Sequence, residues 1–122
     1  MPKTVLVELQ NILKDLQSQT PDIIASMIVR LDGLSIASNV PDTVDKSLLG
    51  ALTAAAMGIS KRVVEQLGQG EMKKTLIEGE EGQLVLYGMK NAVLSLLLRK
   101  NANLGLIFLL LEQAAEKISK WL

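Results

Sequence analysis

Apolar residues recur every three or four positions in TVLVELQNILKDLQSQ, at Val5, Leu6, Leu9, Ile12, Leu13 and Leu16. That spacing predicts a first helix with one buried stripe. Thr20-Pro21 closes it, because the residue before a proline is pushed out of the helical region. The pattern then changes. IIASMIVRL (23–31) is apolar at nearly every position, Asp32-Gly33 follows, and LSIAS (34–38) alternates weakly. Strand, Asp-Gly turn and strand is a strong short-range hairpin signal, with the first strand covered on both faces and the second at an edge.

Asp42, Thr43 and Asp45 can each cap a second helix running to about Leu67, which Gly68 and Gly70 terminate. MKKTLIEG (72–79), QLVLYGMK (83–90) and AVLSLLLRK (92–100) read as three further strands, with tight turns at Glu80-Glu81-Gly82 and Asn91. The first of these mixes in polar residues and reads as the other edge, while the last two read as central. A final helix spans about 104–121, with Leu104, Ile107, Leu111, Ala114, Ile118 and Trp121 on its stripe. Trp121 is expected to pack in the core.

The order helix-strand-strand-helix-strand-strand-strand-helix predicts an α+β fold in one domain, 1–122. Its expected form is a three-layer α/β/α sandwich around a five-stranded antiparallel sheet. The first and third helices cover one face of that sheet, which leaves the second helix alone on the other.

The second helix carries two stripes. Leu48, Leu52, Ala55, Ile59 and Val63 suit contact with the sheet. Leu49, Thr53, Ala56, Ser60 and Val64 form a thinner stripe that this arrangement leaves open. Small side chains let helix backbones approach closely, so a second copy of the helix is expected to pack there. Gly50 and Gly58 fit that reading, since each costs a helix interior about 1 kcal/mol. The edge strand, through Lys73, Thr75 and Ile77, extends the expected homodimer interface, although Lys73 and Lys74 also suit the role of charges that blunt an edge.

Composition narrows the chemistry. Thirteen basic and thirteen acidic residues among 122 give a formal net charge of zero, which argues against a nucleic-acid partner. With no cysteine and no histidine, disulfides, thiolate metal sites and imidazole base catalysis are all excluded. The run LGLIFLLL (104–111) is far shorter than the ~20 residues that cross a bilayer, and MPKTVLVE lacks a signal peptide's apolar run. A cytoplasmic protein without membrane insertion is expected.

VRLDGLSIAS, ALTAAAMGISKRVVEQLGQG, TLIEGEEGQLVLYGM and AVLSLLLRKNANLGLIFLLLEQAAEKI, taken in that order, resemble the roadblock/dynein light chain family over nearly the whole chain. The resemblance implies a roadblock/profilin-like fold and a homodimer with a continuous sheet and paired second helices. It also implies function. Prokaryotic members bind small Ras-like GTPases through those paired helices and can regulate them, some as activators. Eukaryotic relatives serve as motor light chains or scaffolds, which offers an alternative: an adaptor indifferent to nucleotide state.

No catalytic, metal-binding or cofactor-binding residue is expected. Glu78, Glu80 and Glu81 surround a hairpin turn and read as a solvated loop. GQGEMKKT (68–75) fails as a phosphate loop, because Lys73 rather than Gly precedes Lys74 and a strand follows. Arg30, Arg62 and Arg99 are the only arginines, and none lies on a loop long enough to act as an arginine finger. Lys61 and Arg62 are the candidate partner contacts, on the surface of the second helix.

Overall fold

A computed structural model describes residues 1–122. The elements follow the expected order: α1 (Lys3–Ser18), β1 (Ile23–Arg30), β2 (Ser35–Asn39), α2 (Lys46–Gln66), β3 (Lys74–Gly79), β4 (Gly82–Gly88), β5 (Ala92–Arg99) and α3 (Leu104–Ser119). The sheet is antiparallel throughout, with strand order β2-β1-β5-β4-β3. The sequence placed β2 and β3 at the edges and the other strands inside, and the structure agrees. This is the α+β fold that the pattern predicted.

Local chemistry explains the junctions. Gly33 turns the chain from β1 into β2 at φ 94°, and the Asp32 carboxylate accepts the Leu34 amide at 3.1 Å. Of the three candidate caps for α2, Asp45 takes the position, accepting the Leu48 amide at 3.0 Å. Asn103 caps α3 in the same way through Leu106. Asp22 ties three elements at one end of the sheet. Its carboxylate accepts from Arg99 Nε and from the Asn103 amide, each at 2.9 Å.

The principal core lies between the sheet and the α1/α3 layer. Leu9, Leu13 and Leu16 of α1 and Ile107, Leu111 and Ile118 of α3 bury against Ile28, Val85, Leu94, Leu96 and Leu98. Trp121 does not join them. It lies beyond the end of α3 and is 40% exposed, because the helix closes two residues earlier. At the β2 edge, α1 reaches across and Gln10 Nε2 donates to the Ser38 carbonyl. A bulge at Ile28/Val29 further distorts that pairing.

The second face of the sheet is covered by α2 alone, through two small apolar groups: Leu49 with Ala25, Met27 and Val29, and Met57 with Leu86 and Val93. The bareness of α2 serves the chain itself at one point. A Cβ on Gly50 would stand 2.6 Å from the Gly33 carbonyl oxygen, and Gly33 also sits against Ala51 and Ala54. Small residues on α2 thus let the β1–β2 turn rest directly on the helix.

An open helix face beside an open sheet edge

The sequence assigned the two stripes of α2 the wrong way round. Leu49 and Thr53 are buried against the chain's own sheet at 7% and 0% exposure, so neither is available to a second copy. Thr53 Oγ1 lies 2.9 Å from Ser95 Oγ on β5. Ser60 and Thr75 form a second hydroxyl pair at 2.6 Å, linking α2 to β3. Ala56, Ser60 and Val64 are half-buried on the same side. The hydroxyls satisfy one another, which is why a polar stripe can lie inward.

The outward stripe is the large one. Leu48, Leu52, Ile59 and Val63 are each at least half exposed, and Ala55 lies open between them. Helix geometry places this stripe relative to the sheet. Ser60 marks the flank beside β3, and Ala56, Val63 and Leu52 follow it within about a quarter turn. The apolar stripe therefore looks out over β3. Farther along, Ile59, Arg62, Val63, Gln66 and Leu67 line an open groove of about 430 Å³.

Strand β3 has a neighbour on one side only and is poorly covered on both faces. Ile77 on the α2 side is 47% exposed, and Leu76 on the opposite side is 42% exposed. Thr75 is half-buried through its bond to Ser60, and Lys73 precedes the strand, where its carbonyl accepts the Gly88 amide. Lys74 folds over the Phe108 ring at 4.3 Å rather than projecting from the edge. An exposed six-residue edge next to an exposed apolar helix is an open face that the chain does not fill by itself.

Charge at this face comes from α2. Arg30 and Arg99 are engaged with Asp32 and Asp22, each at 2.9 Å. Arg62 is the one arginine without an ion pair, exposed on the groove, and Lys61 is half-buried on the opposite flank beside Leu31 and Ala54. Both sequence-predicted partner contacts thus lie on α2, but on different flanks. Sequence reading missed Leu31 and Leu34, which the β1–β2 turn leaves 50% and 59% exposed. Two apolar residues flanking Asp-Gly were the available signal.

At the β3–β4 turn, Glu78 accepts from Gln83 Nε2 at 2.7 Å. No group of three or more acidic side chains is arranged to hold a metal ion. The 21 residues of α2 meet the length and hydropathy needed to cross a bilayer, which the longest unbroken apolar run did not reveal. Here that helix is docked on the sheet through Leu49, Gly50, Thr53 and Met57.

Comparison with known proteins agrees with this architecture. An uncharacterized protein of Methanocaldococcus jannaschii is 41% identical over 101 residues, covering 83% of this chain and 89% of its own. The structure is similar to MglB of Myxococcus xanthus, with a TM-score of 0.89 at 20% identity, covering 98% of this chain and 91% of that one. A Roadblock/LC7 domain from Streptomyces avermitilis superposes with a TM-score of 0.87 at 14% identity, covering 93% and 97%. At such identities the likeness establishes the fold. Residues 9–98 match the Roadblock/LC7 domain, and the chain belongs to that family.

Proposed function

We propose that the chain is a cytoplasmic homodimer that binds a small Ras-like GTPase, as regulator or scaffold, without catalytic chemistry of its own. The observation that carries this reading is the apolar stripe Leu48, Leu52, Ala55, Ile59 and Val63 facing the uncovered strand β3. Antiparallel pairing of β3 with its symmetry mate brings two such stripes toward each other over a continuous sheet. Membership of the family and the fold shared with MglB support the choice of a GTPase as partner.

Activation of hydrolysis, where it occurs, works by repositioning the partner's own groups. Two of the three arginines are held by carboxylates, and Arg62 stands on a helix rather than on a loop that can enter another protein's site. The test is the affinity of the purified protein for each Ras-like GTPase of the source organism, loaded with a GTP analogue or with GDP. Preference for the GTP form supports regulation. Equal affinity moves the function to a nucleotide-indifferent adaptor, and no affinity refutes the GTPase reading.

A further inference from the structure

One buried side-chain polar atom in the chain has no partner. Gln83 on β4 is 8% exposed, and its Nε2 donates to the Glu78 carboxylate on β3 at 2.7 Å. Its Oε1 is buried with no hydrogen-bond donor. A buried acceptor left unpaired keeps its desolvation cost, which a leucine at the same position would avoid. The bond to exposed Glu78 accounts for one end of the amide. The other end points to a donor from outside the chain.

Gln83 lines a hollow of about 390 Å³ between the β3–β4 turn and the segment after β5, and no apolar side chain borders it. Glu78 and Glu80 stand on the hairpin wall with Gln83, while Lys100 and Asn101 form the other wall. The ion pairs of the chain are Arg30–Asp32 and Arg99–Asp22, so Lys100 contacts neither glutamate across the hollow. Opposite charges thus border one space without meeting. The last side-chain torsion of a glutamine is soft, so a modest turn brings Oε1 to a donor held there.

We infer that this hollow binds a free α-amino acid with a small or polar side chain. Its ammonium donates to Gln83 Oε1 beside Glu78 and Glu80, and its carboxylate accepts from the Lys100 ammonium and the Asn101 amide. Both charges are needed. Lys100 repels a bare metal cation, and the two glutamates repel a simple anion. A lining without apolar groups offers nothing to a large apolar side chain. The inference is independent of the GTPase reading.

The experiment follows amide NMR signals of the labelled full chain while glycine, L-serine, acetate, methylammonium or calcium chloride is added singly. Glycine and L-serine are expected to shift the Gln83 side-chain amide and the Gly79, Gly82 and Asn101 backbone amides, saturating near a Kd of about 1 mM. Acetate and methylammonium, each carrying one of the two charges, should bind at least tenfold more weakly. Gln83→Leu should abolish the response to glycine while leaving the thermal midpoint unchanged or higher. Lys100→Ala should weaken glycine about tenfold or more and leave methylammonium unaffected. The absence of a saturable shift with glycine and L-serine overturns the inference, as does a response to calcium that glycine does not share. A lowered midpoint in Gln83→Leu makes the amide a structural element. Lys100→Ala then decides, and wild-type affinity for glycine in that variant overturns the inference.

Discussion

Thr53 Oγ1 and Ser95 Oγ meet at 2.9 Å with neither residue exposed, joining α2 to the centre of the sheet. A buried hydroxyl deprived of its partner keeps its desolvation cost, whereas removing both partners removes the cost as well. Thr53→Val is therefore expected to destabilise the fold by about 1–3 kcal/mol. Adding Ser95→Ala should recover part of that loss. Urea unfolding of the two single variants and the double variant measures the coupling, and strictly additive losses would show that the pair contributes nothing jointly.

Gly50→Ala should destabilise the fold, unlike an alanine at Gly58, whose Cβ would meet nothing within 4 Å. Its Cβ would press on the Gly33 carbonyl, so either the β1–β2 turn or the helix has to shift. A loss of about 1–3 kcal/mol is expected, the usual range for overpacking. A lower denaturation midpoint checks it. An unchanged or raised midpoint would mean that the turn is not held against the helix.

The proposed dimer makes a clean demand on Ile59, which is 66% exposed. Ile59→Glu places a charge in the middle of the outward stripe while touching little of the chain's own core. Monomer stability should stay within about 0.5 kcal/mol, as for most surface changes. Light scattering should then report a folded monomer where the wild type is a dimer. A variant that stays dimeric would place the interface elsewhere.

Asp22 gives the fold an acid limit. The hydrogen bond from the Asn103 amide, with the bond and charge of Arg99, holds its carboxyl below the usual value of 3.8, against the opposing pull of partial burial. A carboxyl depressed in the folded state stabilises the protein above its unfolded pKa and loses that contribution as pH falls through the folded value. Stability should thus decline below about pH 4, and Asp22→Asn should lower stability at neutral pH while flattening that decline. Denaturant midpoints between pH 2 and 7 test both. Parallel curves for wild type and variant would exclude Asp22 as a source of the acid sensitivity.

Element order, sheet edges and hairpin turns were legible because each rests on neighbouring residues: the period of α1, Asp32-Gly33 in its turn, Asp45 before α2. The facing of α2 was not. Its two stripes lie side by side, and the one bearing Thr53 and Ser60 looks like an exterior surface when read alone. What turns it inward are hydroxyl partners at Ser95 and Thr75, distant along the chain and invisible to any local pattern. Gly50 and Gly58 likewise look identical in sequence, and only the position of the Gly33 carbonyl separates them. Trp121 followed the helical period but fell beyond the last turn, where periodicity no longer constrains a side chain.

The two sheet edges differ in a way that limits how far association can run. At β2, Gln10 occupies the Ser38 carbonyl and the strand is short and bulged; at β3 no element lies alongside. In the language of polymer chemistry each chain of the proposed dimer would be a monofunctional unit, with β3 as its one reactive end. Such units couple once and then stop, because coupling through β3 leaves only the two short, bulged β2 edges exposed. In the proposed dimer, strand pairing through β3 is therefore expected to stop at two chains, and a mass that keeps rising with concentration would show that β2 pairs as well.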